Sequence, residues 1–496
     1  MNDFREHSPL RSLPHSLRLE ILAPATVEKV HDETLAVLET VGVTIASSDL
    51  CDRLAAAGGD VDRARHRVRF PAALVEQALA RAPDSFTLAA RRPEADLLLD
   101  GTAGFLSVDG CAAEILDLET GRRRASTKAD LAMASRLADA LPEISLLWQP
   151  VSARDVPRSA QSLHELHAQV ANSTKHIQMM TAVNPRAARG VVEIARVVAG
   201  GGDELRKRPI LSAFQCSLSP LTYEEGALDA AVVFAEAGVP CGFVVMPISC
   251  ATAPATVAGG LVQSNAEILS GIVALQLLVP GAATFYGACT TVMDLRSGAA
   301  ACGGPEDLLF QMAAAQMARH YRLPSSVGTF ATGAKSPSWQ GGLENGLSGL
   351  ASCLAGADLL CGAGLVYSAQ VFSLEEMVLD CEVFGLLRHL VGLPAQVAAE
   401  PSSLPILEEV GPGGHYLDRK HTLQNMRRQW MPRFFDRTSW EGDEAPAGDH
   451  ARRAAAARAR ELLSAHEPEP LDESVEREIL AILETYGKHE GEAADG

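Results

Sequence analysis

Aromatic side chains make up only 5% of the 496 residues, too few for an aromatic-rich β-sandwich, and the abundance of Ala and Gly favours helices packed closely on a sheet. Positive charge is also short. Lys and Arg number 43 against 62 Asp and Glu, a formal balance of −19, so the chain has no general attraction for phosphate backbones or anionic lipid. Nucleic-acid and membrane partners are not expected. No apolar run of about 18 residues is free of a charge, turn or glycine break, and the opening MNDFREHSPLRSLPH has no apolar signal core, so a cytoplasmic protein is expected. The ten cysteines form no Cys-x-x-Cys pair and sit mostly in apolar runs, as buried thiols in a reducing compartment would. A Gly-rich fingerprint after the first β-leaning run of the central region, ISLLWQPVSARD, is missing too, which argues against a doubly wound dinucleotide fold.

What is present is a large apolar fraction, 47%, and a regular alternation. Residues 1–24 hold Pro9, Pro14 and Pro24 and read as a surface arm. A helix follows from Thr26, with Val27, Val30, Leu35, Leu38 and Val41 on one face and Gly42 as its stop, and a second covers about 71–81. The short pieces RHRVRF, FTLAAR, GFLSVDG and AEILDLETG read as antiparallel strands, making 1–125 an arm and α+β cap. From Ser126 onward, β-leaning runs at 144–151, 175–182, 209–216, 239–246, 282–289, 324–331, 357–365 and 404–410 are each trailed by a helical stretch. Eight such units predict an α/β fold, a (β/α)8 barrel over 126–432. Two Ala- and Leu-rich helices within 433–496 and a polar tail, EGEAADG, expected to fray, complete the chain.

Reactive groups of such a barrel belong at the C-terminal ends of its strands. The richest segment is GTFATGAKSPSWQGGLENG, 328–346, where Gln340 and Glu344 are four apart on one helix face and suit a polar or cationic substrate, or simply solvent. Lys335 at a strand end permits a Schiff-base reading beside that of a surface lysine. His164 and His167, three apart, with Cys216, Cys250 and Cys289 near strand ends, permit a zinc-thiolate reading beside that of buried structural groups; their spacing is not specific, and no metal site is expected. GPGGHY, 411–416, is either an anion cradle containing His415 or a tight turn. Phe285, Tyr286, Phe330, Trp339 and Tyr367 are aromatics that a barrel brings toward one end, either as an ammonium cage or as core.

Longer segments carry a resemblance. HDETLAVLETVGV, RVRFPAALVEQALARAPDSFTLAARRPEADLLL, AEILDLETGRRRASTKADLAMASRLADALPEI, AKSPSWQGGLENGLSGLASCLAGADLL, FSLEEMVLDCEVFGLLRHL and GPGGHYLDRKHTLQNMRRQWMPRFFDRTSWE, in this order, resemble the trimethylamine methyltransferase family over nearly the whole chain. The resemblance implies a (β/α)8 barrel that moves a methyl group from a methylated amine to the cobalt of a cognate corrinoid protein. Family members acting on trimethylamine carry pyrrolysine at or beside the position of Ala334 and Lys335, where this chain has ordinary residues. That implies a quaternary amine such as glycine betaine, proline betaine or carnitine, whose nitrogen is already cationic. It also implies roles. Tyr286, Phe330, Trp339 and Tyr367 would hold the ammonium, Glu344 or Asp294 would balance its charge, and His415, Gln340 or Lys335 would meet a carboxylate. The family pattern has Asp three residues after the Lys335 position, and Ser338 stands there. The competing expectations are a Schiff-base or zinc-thiolate barrel enzyme and a non-catalytic subunit that binds betaine or docks a corrinoid protein. A homo-oligomer is compatible with each.

Overall fold

The structure, a computed structural model, describes residues 9–440 and 450–487. Eight parallel strands close into a barrel: β1 Ala103–Val108, β2 Ile144–Trp148, β3 His176–Met179, β4 Leu211–Cys216, β5 Cys241–Val245, β6 Tyr286–Ala288, β7 Ser325–Gly328 and β8 Leu359–Ala363. Closure is made by β8 on β1, with Leu359 opposite Phe105. The helices that follow the strands in turn are α1 Lys128–Ala140, α2 Gln161–Asn172, α3 Pro185–Ala199, α4 Ala227–Glu236, α5 Val257–Leu278, α6 Pro305–His320, α7 Trp339–Ala355 and α8 Leu374–Ala399.

Seven of the β-leaning runs are barrel strands, and the assignment of the eighth is corrected at both ends of the series. The first barrel strand is β1, inside the segment expected to be cap. Every residue of AGFLSV is buried, because a barrel strand is covered on both faces and reads as a continuous run rather than an alternating one. The run at 404–410 is a helix, Leu404–Val410, opened by Pro405 in its first turn and without a buried residue.

Side chains pointing into the barrel form a separate apolar cluster that includes Phe105, Leu146, Trp148, Phe214 and Phe285. Trp148 stacks on Phe214 at 5.0 Å between ring centroids, and Phe214 lies 5.2 Å from Phe285. A hairpin of Phe86–Leu88 and Leu97–Leu99 closes the N-terminal end, where Phe86 meets Phe285 edge-on at 5.0 Å. The barrel is therefore packed below and open only above, at the C-terminal ends of its strands.

The expected first helix is Pro24–Ala36, continued by one π-turn to Val41 and stopped at Gly42, φ 70°. It buries Val27, Val30 and Leu38, whereas Val41 is exposed. Helix α5 is long and apolar enough by composition to cross a membrane, yet it packs inside the protein and buries Glu267 in its middle. The C-terminal helices His450–Ala465 and Glu473–Gly487 lie on the barrel's helical layer. They are held there by Arg452 on Glu375 at 2.7 Å and by Glu476 on His167 at 2.8 Å. The expected polar tail, 490–496, lies outside the described residues.

Helix α8 runs antiparallel to β8 and continues into an exposed arm, 400–432, whose short helices bury nothing. The chain returns at Arg433, which pairs with Glu382 at 2.9 Å and with Glu143, just ahead of β2, at 3.2 Å. The arm thus leaves from the closed end of the barrel, and the 411–416 loop goes with it.

Candidate active site

A cavity of about 200 Å³ opens above the aromatic stack, among the C-terminal ends of the strands. Its walls are mainly apolar, with Trp148, Met180, Met246 and Leu365 among them. Two carboxyls enter it. Asp109 follows β1 directly and is only 6% exposed. Burial pushes its pKa up to about 7, opposed only by a hydrogen bond from the Gly110 amide. Asp307, in the first turn of α6, is raised by burial to about 6; it accepts Gly303 N at 2.9 Å and Gln311 Nε2 at 3.3 Å. Among the described residues, no Lys, Arg or His belongs to the wall, and no basic side chain pairs with either carboxyl. Such groups are costly to bury as anions. The arrangement is thus a preformed, mainly apolar pocket that holds two buried carboxyls without a basic partner.

The loops around this mouth are fastened from behind by buried carboxyls on the following helices. Glu165 of α2 accepts Ala153 N at 2.9 Å, Gln161 Nε2 at 2.8 Å and Thr181 Oγ1 at 2.6 Å. Glu267 of α5 accepts Ser217 Oγ at 2.5 Å, Ser219 Oγ at 2.7 Å, Leu221 N at 3.0 Å and Gln263 Nε2 at 2.9 Å. On α8, Asp380 accepts Gly364 N at 2.9 Å and shares Asn345 Nδ2 with Glu376, at 2.8 and 3.1 Å. Burial raises Asp380 to about 7, and burial together with the Asp380 charge holds Glu376 well above the carboxylate range. The amides and hydroxyls of Ala153, Thr181, Ser217, Ser219, Leu221 and Gly364 are thereby paired, which steadies the loops that carry them.

Glu344 does the same on α7. It accepts Thr332 Oγ1, Gly333 N at 2.9 Å and Gln340 Nε2 at 2.9 Å. Its charge is thus engaged with the 332–333 loop, beside the cavity rather than inside it. Glu344→Ala is expected to lower stability to denaturant by about 1–3 kcal/mol, the cost of leaving loop donors unpaired; an unchanged midpoint would show that the loop needs no such brace. Ser338 caps α7, accepting Gly341 N at 3.4 Å. The Asp of the family pattern would fill that role equally well, so the departure at 338 leaves the helix start intact.

The aromatics of the sequence reading are placed elsewhere. Tyr286 faces the helical layer, donating to Asn265 Oδ1 at 2.8 Å and stacking on Tyr321, while its neighbour Phe285 points down into the barrel core. Phe330 is buried outside the barrel, close to Gly349 of α7. Trp339 is 82% exposed at the start of α7. Tyr367, at φ 54°, holds the exposed Lys335 ammonium 5.2 Å from its ring centroid, just before Ser368 and Ala369 reach the cavity wall. An exposed lysine is not desolvated into an amine nucleophile. Asp294 sits in a turn, bonded to Arg296 and held at about 2 by it. His415 is on the distal arm, 3.6 Å from Asp418. His164 and His167 both direct Nδ1 at Lys128 Nζ, at 3.1 and 3.0 Å, and the Cys216 thiol is pushed up to about 12 by burial. Neither set presents a thiolate–imidazole constellation.

Asp109, Trp148 and Asp307 were missed by the sequence reading. Asp109 escaped because GFLSVDG is read as an antiparallel strand of the cap; Asp307 lies in the first turn of α6, where an acid is ordinary for the helix dipole and carries no signal of a site. Trp148 stood in plain view within ISLLWQPV, at the end of β2.

Comparison with known proteins gives the chain's family. The family model described as trimethylamine methyltransferase (MTTB) matches residues 5–489. Among curated relatives, the trimethylamine methyltransferase MttB of Desulfitobacterium hafniense (strain DSM 10664 / DCB-2) is 33% identical, covering 92% of this chain and 91% of its own length. The glycine betaine methyltransferase of Desulfitobacterium hafniense (strain Y51) is 31% identical, covering 96% and 98%. Among solved structures, the monomethylamine methyltransferase MtmB of Methanosarcina barkeri aligns with a TM-score of 0.47 at 13% identity, over 89% of this chain and 92% of that one. The chain belongs to the trimethylamine methyltransferase family. It is a methyltransferase enzyme, of a family whose members are named for methylated amines and betaines.

Proposed function

We propose that this enzyme takes a methyl group from a quaternary ammonium compound bound in the barrel mouth and gives it to a corrinoid carried by a separate protein. The observation that carries the reading is Asp109, a buried carboxyl in an apolar cavity, beside Trp148 and without a basic partner. A permanent cation supplies the missing charge, and an aromatic face with thioether neighbours suits methylated nitrogen.

When its carrier docks, the corrinoid supplies the Co(I) nucleophile that accepts the methyl group. A corrinoid is larger than ligands that need pockets of about 300–1,000 Å³, so a cavity of about 200 Å³ admits the small amine and leaves the acceptor to approach from the open side. The protein's own work is positional and electrostatic. The cavity floor holds the nitrogen low, one methyl group faces the mouth, and the C–N bond breaks in line with its electron pair retained by nitrogen. The product is a neutral tertiary amine, which a carboxylate-lined site holds less well than the cation it replaced. Charge loss on reaction therefore favours release. A tertiary amine such as trimethylamine would have to be activated first, and the segment at Ala334 and Lys335 provides only an alanine methyl and a solvent-exposed ammonium.

The test is an anaerobic assay of methylcobalamin formation from Co(I)-cobalamin with a panel of quaternary and tertiary amines. Transfer from at least one quaternary compound, with stoichiometric tertiary amine, is expected. Transfer from trimethylamine alone would overturn the reading.

A further inference from the structure

The cavity says more about its ligand than that it is a cation, provided the proposed reaction is right. A betaine carries a carboxylate close to its ammonium, and a short one places both inside the same pocket. This wall already holds Asp109 and Asp307, and among the described residues it contains no Lys, Arg or His. The remaining polar groups are poor hosts for an anion. Ser368 Oγ donates to Ala300 O at 2.9 Å, and Thr291 Oγ1 to Ala301 O at 3.1 Å. Their outward lone pairs can only accept. Among the described residues, the Trp148 indole N–H is the one side-chain nitrogen or oxygen donor in the wall without a partner, and a neutral donor does not offset two carboxyls.

Gln311 adds an independent observation. Its Nε2 donates to Thr290 O and Asp307 Oδ1, both at 3.3 Å, and its Oε1 is buried with no partner. Exchanging the amide's two ends would set oxygen against two acceptors, so the orientation is fixed by its neighbours. Gln311 belongs to the cavity wall, and a buried acceptor without a donor is a cost that a ligand hydroxyl reaching it would remove.

From these groups we infer that the substrate is a quaternary ammonium compound with no carboxylate near its nitrogen, of the tetramethylammonium or hydroxyalkyl-trimethylammonium kind. Choline has the required features: three methyl groups, a permanent charge and a hydroxyl two carbons away. The transfer step is unchanged. One N–CH3 bond breaks with its pair on nitrogen, the methyl passes to Co(I), and the hydroxyalkyl dimethylamine leaves neutral.

Calorimetry and the methyl-transfer assay with tetramethylammonium, choline, glycine betaine and carnitine decide the matter. Choline or tetramethylammonium should bind at least about 30-fold more tightly than glycine betaine, as expected when like charges are brought together in a dry site, and should give the higher rate. In Asp307→Asn the ratio should shift toward glycine betaine by about 10-fold, a loss of one repelling charge. Equal or tighter binding of glycine betaine, with transfer, would overturn this inference and leave quaternary-amine demethylation standing. Failure of all four compounds to bind or react would overturn both.

Discussion

Asp109→Asn is expected to lower kcat/KM for the best quaternary ammonium substrate by about 100-fold or more, within the range of roughly 2–5 kcal/mol for removing one partner of a buried charge pair. The same variant should be more stable than the wild type without ligand. Asp109 is raised from 3.8 in the ordinary state to about 7 in the fold. The folded protein therefore holds this proton more tightly than the unfolded chain. The resulting stability is fully present below about pH 3.8 and is lost as pH rises through 7. At pH 8 the buried anion costs up to a few kcal/mol, on the order of 4; an asparagine of the same shape carries no such penalty. The denaturation midpoint of the variant should exceed that of the wild type at pH 8, with the gap closing toward pH 5. Loss of both activity and stability would mean that Asp109 is a structural group, not a ligand site kept at the expense of the fold.

Glu267→Ala should have the largest structural effect. The carboxylate accepts four hydrogen bonds, three of them from the 217–221 loop that follows β4, and is itself fully buried. Truncation leaves two hydroxyls and an amide unpaired and opens a cavity in the middle of α5, a combined cost of about 3–5 kcal/mol. Hydrogen exchange should show the Leu221 amide, and the loop around it, opening far faster than in the wild type. If the unfolding midpoint moves by less than about 1 kcal/mol, the loop is held by backbone contacts and the buried acid is dispensable.

Much of the fold was legible in the alternation of β-leaning and helical segments, because each strand–helix unit carries its own apolar signal. The error at the two ends of the series has one cause. A count of eight can be completed by the wrong member, and LPILEEV has apolar residues in a spacing that serves an exposed helix turn as well as a strand. AGFLSV was the true member, identifiable by its unbroken burial-compatible run, yet its glycine neighbours made it resemble a hairpin arm. Shifting the first strand also hid Asp109, so the site reading inherited the topological error. The Gln340–Glu344 pair was placed on one helix face by local rules, while the helix expected to start at Ser336 is capped by Ser338, two residues later. Which way their side chains turn was not readable, since Glu344 faces Gly333 for reasons set by a loop twelve residues earlier. Strand-end aromatics illustrate the same limit: Phe285 and Tyr286 are adjacent, and the pleat sends one into the barrel core and the other into the helical layer.

The central claim is that an unpaired carboxyl in the barrel mouth awaits a permanent cation, and proton release on binding tests it most directly. At pH 6.5, Asp109 at about 7 and Asp307 at about 6 together hold roughly one proton, which a bound cation should expel. Calorimetric titration with tetramethylammonium in phosphate and in Tris should therefore give enthalpies that differ by the ionisation heat of the buffer for about one proton. The difference should vanish at pH 8.5, and in Asp109→Asn it should shrink along with the affinity. Tight binding at pH 6.5 with the same enthalpy in both buffers, in wild type and variant alike, would contradict the account.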